Sequence, residues 1–179
     1  MNNNESVLQS VVIKFAGDSG DGMQLTGQQF TNNTALLGID LATFPDFPAE
    51  IRAPIVTVPG VSGVQLHFSS NKVFTPVEMG EVWLAVNPLE DGSLDSFEVI
   101  KIDVTKLTRE ALKEFTDLGT KERDRAKNMF VLGYIYWMYN RKLDNTIDFL
   151  QEKFGKKESI LQSNIKVLQA GYNYGDTTE

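Results

Sequence analysis

A strand, a glycine-rich turn and a helix follow one another near the start of the chain, and this order constrains the fold more than any other feature. Residues 11–16 are mostly β-branched or aromatic and run directly into glycine, which predicts a buried strand. Residues 23–37 carry apolar side chains at the spacing of one helix face, and Gly38 is suited to end that helix. A second strand is predicted at residues 39–44. This order predicts a right-handed βαβ unit with parallel strands.

The rest of the chain changes from short strands to helices. Further strands are predicted at residues 64–68, 81–86 and 98–104. Prolines exclude a helix interior or a central strand, so residues 44–54 are predicted to form a loop. Helices are predicted at residues 108–113, 121–139, 144–154 and 158–170. The predicted fold class is α/β, a three-layer α/β/α arrangement with a mainly parallel sheet and a helical C-terminal cluster.

Four residues mark details of the helical part. Thr108 is suited to cap the first of these helices. Gly133 lies inside the second helix, where glycine costs about 1 kcal/mol relative to alanine, and this predicts close packing against another element. Gly155 and Gly171 follow the last two predicted helices and are expected to end them.

Composition excludes several classes of function. The 179 residues are 41% hydrophobic and 23% charged, as in a soluble globular domain. The net charge of -7 disfavours binding to nucleic acid or to an anionic membrane. With no cysteine and one histidine, the chain cannot form a disulfide, a cysteine-ligated iron–sulfur cluster or a histidine-rich metal site. No apolar run is long enough to span a bilayer and the start does not resemble a secretion signal, so the predicted location is the cytoplasm.

The glycine-rich turn is the main candidate site, because such a turn exposes backbone N–H groups and the positive end of a helix dipole. Its residues are Gly17, Asp18, Ser19, Gly20, Asp21 and Gly22. The two acids favour a tight turn that caps the helix itself, and a loop that binds a ligand or partner chain is the second reading. A dinucleotide phosphate site fits less well, because the glycine spacing is G-x-x-G-x-G and no Lys-Ser/Thr pair follows.

Several segments resemble one enzyme family. Residues 12–22 (VIKFAGDSGDG), 24–27 (QLTG) and 44–54 (FPDFPAEIRAP) resemble the gamma-type domain of 2-oxoacid:ferredoxin oxidoreductases. Within the family, the likeness is to the N-terminal domain of alpha subunits that act on 2-oxoglutarate. Further matching segments are residues 58–63, 88–94 and 166–179.

The resemblance implies an enzyme complex that oxidatively decarboxylates a 2-oxoacid, with 2-oxoglutarate as the expected substrate, and forms an acyl-CoA. Such a complex uses thiamine diphosphate, Mg, an iron–sulfur cluster and CoA, and passes electrons to ferredoxin. The residues that hold these cofactors lie in other domains or subunits, so no cofactor is expected in this chain. The chain itself is expected to be a non-catalytic structural and interface domain. Its expected partners are the thiamine-binding domain and the beta subunit, with ferredoxin as an indirect partner.

The resemblance also predicts the domain organisation. Residues 1–179 are expected to form one gamma-type domain, similar to the catalytic domain of pyruvate/ketoisovalerate oxidoreductases, and to be a fragment of a longer alpha subunit. The family continues after a strand like residues 83–87 for several dozen residues, whereas here Asn87 is followed at once by Pro88. Either the chain has lost this segment, or residues between Asn87 and Pro88 are left out of the sequence. Val56 also stands where relatives commonly have glycine.

Other residues have both a functional and a structural interpretation. Glu50 and Arg52 in the proline-rich loop are either solvated charges or a contact to a ligand or neighbouring domain. His67 is expected to be structural, because neither a metal site nor an oriented catalytic partner is indicated for a lone histidine. The aromatic residues of 129–139 are expected to form helix core, with some of them at a subunit interface, and residues 121–125 a solvated helix face.

Two further functions stay open at this point. The chain could be a free-standing CoA- or nucleotide-binding α/β module that uses residues 17–22. It could also be an α/β domain whose self-association is its only activity. Neither requires any of the cofactors that the family resemblance implies.

Overall fold

The computed structural model describes residues 9–18, 22–46, 61–73, 82–85 and 100–178. The chain divides into two compact units, Met1–Asn87 and Pro88–Glu179. The first unit contains the described strands and one helix, and the second contains helices. Each is described separately, and the predicted single domain of 1–179 stays a prediction.

Within the described residues, the first unit is a four-stranded sheet covered by a helix. Its elements are β1 (Ser10–Asp18), α1 (Met23–Leu36), β2 (Asp40–Asp46), β3 (Val61–Ser69) and β4 (Val82–Ala85). The strand order is β2-β3-β1-β4. β3 pairs antiparallel with both β1 and β2, and β4 pairs parallel with β1. The sheet is therefore mixed.

The prediction of a mainly parallel sheet is wrong for the described strands, and the α/β class is confirmed only as a mixed helix-and-strand fold. β1 and β2 both run antiparallel to β3, so they run in the same direction, but β3 lies between them. All nine residues of β1 pair with β3, from Ser10 opposite Ser69 to Asp18 opposite Val61. The strand–helix–strand order was therefore correct, whereas the insertion of a later strand is a long-range pairing that local pattern does not reveal. The three-layer arrangement stays a prediction.

Aromatic side chains form the core between α1 and the sheet. Phe30 of α1 is fully buried, and its ring centroid lies 6.4 Å from that of Phe15 on β1 and 5.8 Å from that of Phe68 on β3. Such tilted aromatic pairs contribute beyond the area that they bury. Gly27 permits the close approach of α1, because a side chain there would overlap the methyl group of Val64. α1 is thus held tightly against β1 and β3.

At the end of α1, the structure confirms the prediction for Gly38 and contradicts the prediction for Leu37. Gly38 has φ of 73°, in the left-handed region that a residue following a helix often adopts, so its predicted role is confirmed. Leu37 was expected on the buried face of the helix, but it forms the C-cap and is 56% exposed. The helix stops before this position can turn toward the sheet.

The second unit is built around one buried helix. Its elements are α2 (Val104–Ala111), α3 (Thr120–Arg125), α4 (Lys127–Met138), α5 (Asp144–Phe154) and α6 (Glu158–Thr178). Residues 128–136 of α4 are all buried, as expected for a helix that is apolar on every side. α6 lies along α4, and α2 and α5 pack against α6.

Three predictions in this unit need correction. Residues 100–103 are not a strand, and α2 begins at Val104 because Asp103 caps it by accepting a 2.9 Å hydrogen bond from the Lys106 N–H. Thr108 is consequently buried inside α2 and is not its cap. The predicted helix at residues 121–139 is two helices that meet at Ala126.

Glycines permit close contact between α4 and α6. A side chain on Gly133 would overlap the carbonyl oxygen of Leu168, which confirms the predicted close packing. A side chain on Gly171 would overlap the carbonyl oxygen of Phe130. Gly171 was expected to end the last helix, but α6 continues through it to Thr178. Gly171 therefore permits close packing between the helices and does not form a turn.

A buried hydrogen bond joins α4 to α5 and gives a first testable prediction. The Tyr136 and Thr146 hydroxyl oxygens are 2.8 Å apart, and both residues are at most 1% exposed. We expect Tyr136→Phe to lower the free energy of unfolding by about 1–3 kcal/mol, because the Thr146 hydroxyl loses a buried partner. The double variant with Thr146→Val should recover part of this loss, since no polar atom is then stranded. Urea unfolding measures both, and a strictly additive double variant would contradict the coupling.

An ion pair joins α2 to α3 and predicts a pH dependence. Arg109 donates two 2.7 Å hydrogen bonds to the Asp124 carboxylate. These hydrogen bonds are the main reason why the pKa of Asp124 is lowered. This pKa is lower in the folded chain, so the pair stabilises the fold at neutral pH and the contribution is lost as pH falls below the ordinary carboxyl range. We expect Asp124→Asn to melt at a slightly lower temperature at neutral pH, with a difference that shrinks as pH falls below the ordinary carboxyl range. Thermal melts with a constant difference at every pH would contradict this.

Candidate functional site

The predicted turn connects the end of β1 to the start of α1. Gly17 and Asp18 are the last residues of β1, and Gly22 is the N-cap of α1. The predicted position between a strand and a helix is confirmed, but Gly17 and Asp18 were predicted in the turn and instead belong to β1, where they pair with β3. The remaining predicted site residues, Ser19, Gly20, Asp21, Glu50 and Arg52, lie outside the described residues.

The sheet topology gives this turn a specific position. Residues Ile13 to Ala16 of β1 pair in parallel with Val82 to Ala85 of β4, so the carboxyl ends of these strands are side by side. α1 packs on β1, β3 and β2. In the strand order, β3 and β2 lie on one side of β1, and β4 lies on the other. In open α/β sheets, a ligand binds where successive connections leave in opposite directions at the carboxyl ends of the strands. The turn after β1 lies at the carboxyl end of β1, beside the parallel strand β4.

The first turn of α1 presents backbone donors with no side-chain cap from its own N-cap residue. Gly22 has φ of 76° and, as glycine, has no side chain to accept a capping hydrogen bond. The first turn contains no acidic residue. The Gly22 carbonyl accepts hydrogen bonds from the Thr26 N–H at 3.0 Å and the Thr26 hydroxyl at 3.1 Å. An anionic group would be stabilised at this end of the helix, whether it belongs to a ligand, a partner or the chain.

The side chains that would distinguish these occupants are Asp18 and Asp21. Neither side chain is among those that the structure describes. Capping of α1 by its own acids therefore stays a prediction, as does a binding role for the turn. The glycine at the N-cap means that any carboxylate cap must come from another position.

Sequence reasoning assigned no packing role to four buried residues along α1. They are Thr26, Gly27, Gln29 and Asn33, of which the three polar ones are at most 5% exposed. The spacing of Thr26, Gln29 and Asn33 places them on one side of the helix, which was a usable signal. Gly27 fulfils the helix–strand packing role that the last glycine has in dinucleotide-binding turns, although it lies further along the helix.

His67 has a hydrogen-bonded position within the sheet. Its Nε2 lies 2.9 Å from the Ser10 hydroxyl oxygen across the β1–β3 pair, and the residue is 9% exposed. This contact ties the first residue of β1 to β3. The geometry agrees with the structural role predicted for His67.

The described residues offer little redox or metal chemistry. No group of three or more His, Asp or Glu side chains within them is arranged to hold a metal ion. None of the helices in the described ranges is long and apolar enough to cross a membrane.

Burial lowers the pKa of Arg141, which follows α4, while Tyr136 and Tyr139 oppose this effect. Arg141 belongs to the helical unit and marks no catalytic cluster there.

Comparison with known proteins identifies the family. Residues 85–174, half of the chain, match the family model described as pyruvate ferredoxin/flavodoxin oxidoreductase. The chain belongs to this family. The match begins at the last residue of β4 and covers nearly all of the helical unit. The match to the pyruvate ferredoxin/flavodoxin oxidoreductase family thus confirms the resemblance found in the sequence.

A curated member of this oxidoreductase family extends the similarity to almost the whole chain. The 2-oxoglutarate oxidoreductase subunit KorA of Mycobacterium tuberculosis is 41% identical over 209 residues, which include 96% of this chain and 32% of the relative. The alignment therefore includes most of the first unit as well. The chain spans about a third of the length of this relative.

Solved structures of oxidoreductases share the fold. The 2-oxoglutarate:ferredoxin oxidoreductase of Magnetococcus marinus, solved with 2-oxoglutarate, coenzyme A and succinyl-CoA bound, matches with a TM-score of 0.70 and 22% identity over 97% of this chain and 32% of that chain. The gamma subunit of a keto/oxoacid ferredoxin oxidoreductase from Geobacter sulfurreducens matches with a TM-score of 0.60 and 14% identity over 94% of this chain and 99% of that chain. At these identities the likeness shows the fold alone. The same fold is part of a longer chain in one case and nearly a whole chain in the other.

Proposed function

We propose that this chain is a non-catalytic structural and interface domain of a 2-oxoacid:ferredoxin oxidoreductase, and that the substrate of the complete enzyme is 2-oxoglutarate. The observation that carries the proposal is the 41% identity with the 2-oxoglutarate oxidoreductase subunit KorA over 96% of this chain. The match to the pyruvate ferredoxin/flavodoxin oxidoreductase family supports the same enzyme class. In the complete enzyme, oxidative decarboxylation would form an acyl-CoA and deliver electrons to ferredoxin.

The residues of this chain do not fit the redox cofactor of such an enzyme. An iron–sulfur cluster needs thiolate ligands, and the sequence contains no cysteine. The described residues also lack an acidic cluster that could hold Mg for a diphosphate. The proposal assigns thiamine diphosphate, Mg and the cluster to other domains or subunits of the complex. The contribution of this chain is a folded surface and not a reactive group.

The proposed partners are the polypeptides that carry those cofactors. They are the thiamine-binding domain and the beta subunit, and ferredoxin would interact only through them. The KorA relative has about two thirds of its length beyond the aligned part, which leaves room for a cofactor-binding domain in such proteins. The proposal locates the complex in the cytoplasm.

Titration with thiamine diphosphate and Mg tests the non-catalytic part of the proposal. We expect isothermal titration of the 179-residue chain to give no binding heat, because its described residues contain no metal-ligand cluster. A titration of the same cofactors into a known thiamine diphosphate enzyme is the positive control. Micromolar affinity for the chain would refute a non-catalytic role without changing the family assignment.

A second candidate function is a CoA- or nucleotide-binding module that uses residues 17–22. It is favoured by the left-handed glycine at the N-cap of α1 and by the absence of an acid in the first turn. Hydrogen exchange with and without CoA tests it. Gly22→Val and Gly38→Val are a matched pair, since both replace a glycine with φ above 70° and only the first adjoins the turn.

The matched pair gives distinct outcomes. Protection of residues 17–22 by CoA that is lost in Gly22→Val and kept in Gly38→Val would support the module. Equal exchange with and without CoA would reject it. Both variants should lose similar stability, of about 1–2 kcal/mol, because each forces a β-branched residue into a left-handed conformation.

A further inference from the structure

We draw no further inference here: the strongest candidate, the apolar surface patch that Leu36 and Leu37 form at the end of α1, where they are 68% and 56% exposed, carries no proposal because nothing in the described part of the structure shows what covers it.

Discussion

Replacing Gly171 with alanine is expected to lower the free energy of unfolding of the helical unit by about 1–3 kcal/mol. A β-carbon at this position would overlap the carbonyl oxygen of Phe130 and lie 2.8 Å from its carbonyl carbon. These are backbone atoms of a buried helix and cannot rotate away, so α4 and α6 must separate. In a helix without such a contact, the same substitution would stabilise by about 0.5–1 kcal/mol. The sign of the effect therefore identifies the contact.

Gly133 provides a reciprocal test of the same contact. A β-carbon there would overlap the Leu168 carbonyl oxygen and lie 2.9 Å from the Tyr172 nitrogen, so Gly133→Ala should also destabilise. The two substitutions push the same helices apart, so the double variant should lose less than the sum of the single losses. Gly119→Ala is the control, because its nearest new contact is an ordinary 3.7 Å to a Glu122 oxygen.

Tryptophan fluorescence can follow each unit separately. Trp83 belongs to the first unit and Trp137 to the second, and the sequence contains only these two. In a Trp83→Phe background, urea unfolding reports on the helical unit. An unchanged or increased urea midpoint for Gly171→Ala would contradict the close contact between α4 and α6. An equally large loss of stability in Gly119→Ala would show that the effect is not specific to that contact.

Replacing Phe30 with alanine is expected to have the largest effect on the first unit, a loss of about 3–5 kcal/mol. Phe30 is fully buried between α1 and the sheet, and it packs against Phe15 and Phe68. Truncation removes the aromatic contacts to both strands and leaves a cavity. Gly27 on the same helix has no side chain that could fill it. Because α1 begins directly after its N-cap Gly22, its loss of support would also release the predicted binding turn.

Leu36→Ala is the matched control for this prediction. It removes a large apolar side chain from the same helix, but Leu36 is 68% exposed and should change stability by no more than about 0.5 kcal/mol. A Trp137→Phe background leaves Trp83 to report on the first unit. A loss below about 1 kcal/mol for Phe30→Ala, or equal losses for the two variants, would contradict the described core.

Local pattern predicted the positions of the elements better than their arrangement. The strands near residues 11–16 and 64–68 were found, and the helix at 144–154 matches α5. Alternation and helical spacing are properties of adjacent residues, so they are visible in the sequence. The insertion of β3 between β1 and β2 is a pairing between distant residues, and nothing in either strand alone specifies it.

Two further errors arose because one residue type serves two purposes. Gly171 follows an apolar periodic run and so resembles a helix stop, yet it lies inside α6 where the backbone of α4 approaches. Thr108 is a good N-cap residue, but Asp103 starts α2 before it. Choosing between these roles requires knowledge of what packs on the helix, which is a tertiary property.

The candidate site was predicted in part. The strand–turn–helix order was predicted from the glycine-rich segment between two periodic runs and is confirmed, with Gly22 as the N-cap of α1. The packing role of Gly27 depends on the Val64 side chain across the sheet, so the sequence alone could not assign it. The roles of Glu50 and Arg52 stay predictions, because they lie outside the described residues.

The most direct test of the proposed function is 2-oxoglutarate-dependent reduction of a viologen dye, with CoA, thiamine diphosphate and Mg present. The assay compares the purified chain with the same chain after mixing with a thiamine-binding subunit and a beta subunit of this enzyme family. The account predicts no reduction by the chain alone, and a stable complex with those subunits by size-exclusion chromatography. Turnover by the isolated chain, or failure to associate with either subunit, would contradict it.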